Sequence, residues 1–540
     1  MNKLKVDIEF KSLKNFSTCA KQTTQSLVIG VFKKEKKLAF CDKVRALPEL
    51  NSILDKISET QFDAKFLSHI PLLCQGKSKE LPYDNILVVG LGEKKHFTPQ
   101  NALKLGGSIS ELCRKYKLQN IDVFIDSLNH APTSIKSPDS PKDFAGRAPL
   151  SGLMSAEEHC EKLALGILLG SYTFDNYKSK EKDDDKILQY SLVSKILEAK
   201  TGMATIERAL TLNHGVSITR DLQTLPSNDL YPSLLAQEAQ KVAKTCGLNV
   251  VVFDEKKLKS ENMNGILAVG QGSSNPPRFV QMEYNLSKKN LPLVIFVGKG
   301  ITFDTGGTSL KPAPGMEEMK MDMSGAASVI GAMYCIAKLK APIRAMGFIA
   351  SAENRISHTS INPGDIYKAH NGKTVEVINT DAEGRLVLGD ALSFAKQYNP
   401  SCVVDIATLT GAVGIALGSP ASGIMGNNHA YTRAYQTASD KAGEKTWELP
   451  LYEEYAEDMK STIADYRNIG SGREAGASKG GIFLNFFVED AYPWIHLDVA
   501  STADTPKGQG PHCPAHVGTG VPVRGLVEFA MNYSDYVKSK

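Results

Sequence analysis

Three short segments concentrate acidic and basic side chains among residues that are otherwise glycine, small or apolar. The first, residues 298–311, follows the apolar run 293–297 and carries Lys299, Asp304 and Lys311 in a glycine-dense loop. Glycine admits positive φ and lets backbone approach closely, so this loop suits a compact occupant. A glycine-rich connector with surface lysines competes on equal terms. The second segment, residues 316–327, sets Asp322 at the head of an apolar helical pattern that runs to Leu339. A helix N-cap is the competing use for that aspartate. The third, residues 377–391, leads apolar residues into Asp381 and Glu383, then Arg385, before the pattern turns helical. Carboxylates at spacing two share a face in extended chain, and Arg385 continues that face. Here a capped turn is the alternative.

Asp304, Asp322, Asp381 and Glu383 together supply four negative charges. If they converge in space, the cluster is prohibitively costly unless it is neutralised. Two divalent cations would neutralise it. Oxygen ligands without histidine favour Mn²⁺ or Mg²⁺ and also admit Zn²⁺.

These residues need a scaffold, and the second half of the chain supplies its pattern. The runs 293–297, 345–350, 402–406 and 494–499 are continuously apolar. Such runs fit central strands covered by helices on both faces. Ligands bind beyond the carboxyl ends of such strands, and each run is followed by polar or glycine-rich sequence. The first part alternates short apolar runs, 85–92 and 121–125 among them, with charged amphipathic stretches, as an α/β domain does. Leu4, Val6, Ile8 and Phe10 alternate as in a strand. The Gly90/Gly92 pair reads as a tight turn and not as a phosphate loop. Residues 178–186 are all polar and read as a solvated loop near a domain junction. Residues 204–222 carry the apolar stripe of a long helix, broken over 224–232. The expected organisation is α/β in two domains. A smaller N-terminal domain, 1–200, serves assembly or regulation. A larger catalytic domain, 201–540, starts with a linker helix and holds a central mixed sheet flanked by helices.

A chain of 540 residues favours two domains. Its 63 basic and 59 acidic residues nearly balance, which leaves no nucleic-acid or membrane footprint. No stretch is long and apolar enough to span a bilayer, and no apolar run follows the early lysines. A soluble, cytoplasmic protein is expected. The nine cysteines are scattered without any C-x-x-C pair, as reduced thiols are. Cys513 sits in the polar Pro/Gly segment 504–516 and is expected at the surface with His512 and His516. His358, His370 and His496 are read as structural.

Taken together, the three segments closely resemble the leucyl aminopeptidase (cytosol aminopeptidase) family. N-T-D-A-E-G-R-L over 379–386 looks like its signature, accompanied by V-G-K-G-I-T-F-D-T-G-G and K-M-D-M-S-G-A-A. The resemblance covers about residues 205–530. It implies a pair of divalent ions, with Lys299, Asp304, Asp322, Asp381 and Glu383 as their ligands. In that reading Lys299 is a neutral amine, Asp304 touches both ions and Glu383 bridges them. It implies that Lys311 polarises the scissile carbonyl and that Arg385 holds a bicarbonate ion. It implies peptide substrates with a free α-amino group that binds one ion, and a metal-bridging water as nucleophile. Met319, Thr408, Gly411, Ala500 and Ala503 resemble the lining of the family's side-chain pocket. Ala503 stands where some members carry methionine, so a roomier pocket for Leu, Met and aromatic residues is expected. Gly389 replaces a more usual alanine, and residues 271–278 resemble a supporting segment. The family assembles as hexamers of two stacked trimers, and the same is expected here. Some bacterial members bind DNA; a DNA-binding or regulatory role is the alternative, which the near-neutral charge disfavours.

Overall fold

The computed structural model describes residues 6–12, 25–34, 37–39, 54–55, 57–58, 60, 62–73, 83–93, 97–128, 154–179, 188–504 and 508–538. They form two compact units. One holds the described residues up to 213 with 510–514, and the other holds 214–509 with the rest of the C-terminus. The Ala199–Thr224 helix, somewhat longer than the predicted stripe, contributes residues to both.

The first unit is built on strands β1 (Val6–Ser12), β2 (Gln25–Lys34), β3 (Lys37–Ala39), β4 (His69–Leu73), β5 (Asn85–Glu93), β6 (Asn120–Phe124) and β7 (Leu188–Ser194). Their order is β1-β7-β6-β2-β5-β4, with β3 on β2. The predicted alternation survives in β1, where Val6, Ile8 and Phe10 are buried and Asp7 and Glu9 are exposed. The Gly90/Gly92 reading is corrected: β5 continues through both glycines. Gly90 is required because a Cβ there would lie 2.2 Å from the Lys65 carbonyl oxygen. Of the expected polar loop 178–186, residues 180–186 lie outside the described residues.

A second correction concerns the segment 504–516, of which 505–507 lie outside the described residues. His516 is exposed, but His512 and Cys513 are buried. The physical reason is close backbone packing. A Cβ on Gly107 would come within 2.4 Å of the His512 nitrogen, and one on Gly170 within 2.9 Å of the Pro511 oxygen. The six described cysteines are free thiols; Cys19, Cys41 and Cys74 lie outside the described residues. Among the described residues no helix is long and apolar enough to cross a membrane.

The second unit contains β8 (Asn249–Phe253), β9 (Arg278–Tyr284), β10 (Leu293–Asp304), β11 (Arg344–Asn354), β12 (Ile366–Lys368), β13 (Thr374–Glu376), β14 (Cys402–Ala407), β15 (Ser422–Gly426), β16 (Thr446–Glu448), β17 (Tyr466–Arg467) and β18 (Trp494–Asp498). Eight of them form a mixed sheet, β16-β15-β18-β14-β10-β11-β9-β8. The four central strands, β18, β14, β10 and β11, run parallel. They are the four continuously apolar runs of the sequence. The small β12-β13-β17 sheet stands apart.

Helices cover both faces of the central strands. On β11, Gly347 faces Val329 and Met333 of the Ser324–Lys338 helix. Its neighbours Met346 and Phe348 belong to the opposite core, with Leu386 and Phe394 of the Gly384–Ala395 helix and Phe483 and Phe487 of the Gly476–Val488 helix. Within that core Phe279 lies 5.3 Å from Phe253, 5.3 Å from Phe348 and 5.4 Å from Phe394, ring centre to ring centre. Gly389, in place of the more usual alanine, faces Phe487 at 3.0 Å from a notional Cβ. A methyl there needs only a small ring shift.

The Ser324–Lys338 helix begins against the sheet with almost no clearance. A Cβ at Gly325 would sit 2.0 Å from the Ile406 carbonyl oxygen and 2.8 Å from the Lys299 nitrogen. Both obstacles are strand backbone, which cannot swing aside. Gly325→Ala is therefore expected to lower stability by about 1–3 kcal/mol or more through overpacking. The urea unfolding midpoint measures this; an unchanged midpoint contradicts the packing described.

Candidate active site

All three chemistry-bearing segments meet at the carboxyl ends of the central parallel strands. β10 ends in Asp304, and its register with β11 shifts between Ile301 and Asp304 before Asp304 pairs with Asn354. Such an irregularity bends the strand and re-aims the side chains that follow it. Gly306 and Gly307 then turn the chain at φ +86° and +64°. A Cβ on Gly306 would reach within 2.9 Å of an Asp381 oxygen, so that loop is pressed onto the third segment.

The N-cap reading of Asp322 fails. The helix after Asp322 starts at Ser324, and Met323 is its N-cap, with no side-chain capping bond. Asp322 instead accepts hydrogen bonds from Lys299 Nζ at 2.7 Å and from the Thr408 hydroxyl at 2.8 Å. Residues 380–383 are not extended, which corrects the shared-face expectation: Asp381 lies in a turn, and Glu383 already has helical dihedrals as N-cap of the Gly384–Ala395 helix. The turn brings Asp381 and Glu383 to Asp304 nonetheless. One oxygen from each of the three lies within 4.8 Å of the others.

The two lysines serve this cluster unequally. Lys299 is buried and its ammonium contacts Asp322 at 2.7 Å, Glu383 at 2.9 Å and the Thr408 carbonyl at 2.9 Å. Gly384 closes over it: a Cβ there would lie 2.3 Å from Lys299 Cε. Lys311 is more open, with 20% of its side chain exposed, and pairs with Asp304 at 2.7 Å and with Asp381. Burial opposes charge on both amines, yet the carboxylates around them hold both pKa values well above lysine's ordinary value. Burial pushes the carboxyls of Asp304, Asp322 and Asp381 upward, and neighbouring carboxylates add to each shift. Asp322 Oδ2 and Glu383 Oε2 are buried with no hydrogen-bond partner among the described residues. Buried carboxylate oxygens left bare in this way call for a cation.

Arg385 is buried beside them. Burial pushes its pKa down to about 10, opposed by Glu383 and Asp498, so the guanidinium stays charged at neutral pH. Its Nη1 donates to the Asn468 carbonyl at 2.8 Å, while its buried Nε has no partner among the described residues.

Several supporting residues carry no signal in the sequence. Asn468 is fully buried; its side-chain oxygen accepts from Ile378 N at 2.8 Å and its amide donates to Asn379 O at 2.6 Å. Asp498 accepts from Leu409 N at 3.1 Å and the Thr410 hydroxyl at 2.7 Å, fixing the loop after β14. Thr380 donates to Gly306 O at 2.6 Å and accepts from Ser309 N at 2.8 Å. Nothing local marks Asn468 or Asn354, because their partners lie far along the chain. The segment 271–278 acts as a support: Ser273 and Asn275 hydrogen-bond to Glu353 on β11 at 2.5 and 3.1 Å. The three histidines lie outside the cluster. His358 is exposed, His370 bonds Ser393 at 2.8 Å, and the buried His496 pairs with Asp405 at 2.6 Å.

Of the five pocket residues, Met319, Thr408 and Ala500 are half-buried and Gly411 is exposed. Ala503 is fully buried and has no surface to give an occupant.

This geometry matches known proteins. Residues 217–527 match the cytosol aminopeptidase family, catalytic domain. A probable cytosol aminopeptidase of Geobacter sp. (strain M21) is 38% identical over 94% of this chain and 96% of its own. The cytosol aminopeptidase of Pseudomonas aeruginosa is 45% identical over 67% of this chain and 72% of its own. Among solved structures, a mutant tomato leucine aminopeptidase superposes with a TM-score of 0.80 at 30% identity, covering 98% of this chain and 96% of that one. The bottromycin maturation enzyme BotP in complex with Mn superposes with a TM-score of 0.77 at 28% identity, covering 95% of this chain and 100% of that one. With sequence, fold and carboxylate cluster in agreement, the chain belongs to the cytosol aminopeptidase family and is a metal-dependent aminopeptidase.

Proposed function

We propose that this aminopeptidase works with two divalent ions and removes leucine and other mainly apolar residues from the N-termini of peptides. The observation that carries this reading is the approach of Asp304, Asp381 and Glu383 oxygens to within 4.8 Å of one another. Like charges so placed need concentrated positive charge between them. The donor set fits the ions. Asp304, Asp322, Asp381 and Glu383 give hard oxygen ligands, and the bare Asp322 Oδ2 and Glu383 Oε2 point to further coordination. Lys299 would be the fifth ligand: its amine already lies among the same carboxylates, and it would give up its proton to an entering cation. Mn²⁺ or Zn²⁺ is the expected occupant, with Mg²⁺ also compatible. When bound, the ions supply an acidified water and a Lewis-acid contact for the scissile carbonyl.

The chain's own side chains do the rest. Lys311, the more open lysine, presents a fixed cation to the oxygen on which negative charge develops. Arg385 would hold a bicarbonate ion, which would supply a proton acceptor for the attacking water. Its unpartnered buried Nε supports an anion there. Met319, Thr408, Gly411 and Ala500 receive the N-terminal side chain, with Ala503 behind the surface. The working assembly is a cytoplasmic homohexamer of two stacked trimers, and the N-terminal unit serves that assembly.

Hydrolysis of a leucine anilide is expected to vanish on chelation and to return with Mn²⁺; the Asp381→Ala protein is expected to stay silent in both conditions. Full activity of the chelated wild type would refute the metal reading. Lys311→Ala is expected to lower kcat by about 10²–10³-fold, the usual cost of losing one oxyanion donor. A change confined to KM would move Lys311 from oxyanion stabilisation to ground-state binding. Sedimentation is expected to give a mass near six times 58.6 kDa; a monomeric mass would remove the hexamer.

A further inference from the structure

Asn354, at the last position of β11, belongs to none of the three motifs and is buried in the site. Its Nδ2 donates to Asp304 Oδ1 at 2.8 Å and to the Thr380 carbonyl at 2.9 Å. The two acceptors belong to different loops. Asp304 ends β10 and opens the glycine-rich loop, while Thr380 immediately precedes Asp381 in the turn that leads to Glu383. A primary amide carries two protons, and both are engaged here. Its orientation follows from chemistry, because both neighbours of Nδ2 are oxygens that can only accept.

The backbone of Asn354 serves the same junction. Its carbonyl accepts from Thr305 N at 3.0 Å and from the Thr305 hydroxyl at 2.9 Å. Its Oδ1 faces Gly307, where a Cβ would approach to 2.7 Å. Asp304 Oδ1 has one further donor, Gly306 N at 2.9 Å, which leaves Oδ2 for Lys311 at 2.7 Å. Asn354 thus determines which Asp304 oxygen faces the cluster.

We infer that Asn354 is a positioning residue: its single amide locks the Asp304 carboxylate and the Asp381–Glu383 turn into one register, so that the ligands carried by two distant loops form one metal site. No other residue type of this size does the same. Aspartate puts an anionic oxygen against Asp304, leucine fills the volume without a donor, and alanine removes the only bond that ties the Asp304 carboxylate itself to the Thr380 backbone among the described residues. Partners that orient metal ligands typically account for about 10–100-fold in metal affinity. The inference rests on the two-metal reading, and its test separates the two.

The test is Mn²⁺ binding to the chelated full-length protein, followed by the electron paramagnetic resonance of free Mn²⁺, for wild type, Asn354→Ala and Asn354→Asp. Thermal melting of each metal-free protein runs in parallel. Wild type is expected to bind two Mn²⁺ per chain. Both variants are expected to bind at least one of them about 10–100-fold more weakly, because neither keeps the amide that orients Asp304 and the turn. A second readout concerns melting: Mn²⁺ is expected to raise the wild-type melting temperature and to raise that of the variants less at equal concentration. Wild-type Mn²⁺ affinity in either folded variant overturns the positioning role and leaves the two-metal reading standing. A wild type that binds no Mn²⁺ overturns the two-metal reading and this inference with it. Should Asn354→Ala fail to fold, the near-isosteric Asn354→Asp decides alone.

Discussion

Buried negative charge organises this protein. Asp304, Asp322 and Glu383 are removed from water and held near one another. Each would return to solvent at once if the fold allowed it, because desolvation and mutual repulsion both oppose the ionised state. The fold does not allow it. Asp304 is fixed by the end of β10, Asp322 by the chain entering the Ser324–Lys338 helix, and Glu383 by the first turn of the Gly384–Ala395 helix. The scaffold gives up stability to keep an unfavourable charge arrangement, as sites built for cations do.

The same constraint explains the small residues. Carboxylates from separate strands and helices come within a few ångströms only if their backbones come nearly as close. Gly325 lets a helix lie on β14, and Gly384 lets another close over Lys299. The glycines around Asp304 therefore do not signal mobility. They remove the Cβ atoms that would hold the loops apart, and the resulting backbone is tied by hydrogen bonds from Thr380, Asn354 and Gly306.

Much of this is legible in the amino-acid sequence, for a reason that has limits. The four apolar runs identify the central strands because strands covered on both faces must be continuously apolar, whatever their neighbours. Asp304, Asp322, Asp381 and Glu383 stand out because buried-looking surroundings and charge seldom coincide. What stays hidden depends on contacts between distant residues. Asn468 orients the 378–385 turn from about 90 positions away, and a lone asparagine in a glycine-rich loop looks like any turn residue. Cys513 looks exposed because its own segment is polar; the residues just before it, Pro511 and His512, pack their backbone against Gly107 and Gly170, two helical glycines some 340 to 400 positions earlier.

The two lysines show how environment divides one residue type between two tasks. Lys299 has three acceptors, Asp322, Glu383 and the Thr408 carbonyl, and Gly384 presses on its methylenes. With 4% of its side chain exposed, Lys299 is enclosed by the cluster. Lys311 has two carboxylate partners, one of them the half-buried Asp381, and retains a route to solvent. Those carboxylates keep its ammonium in a strongly negative field that holds it protonated. The chain provides both environments twelve positions apart by placing one lysine inside a strand and the other beyond the turn.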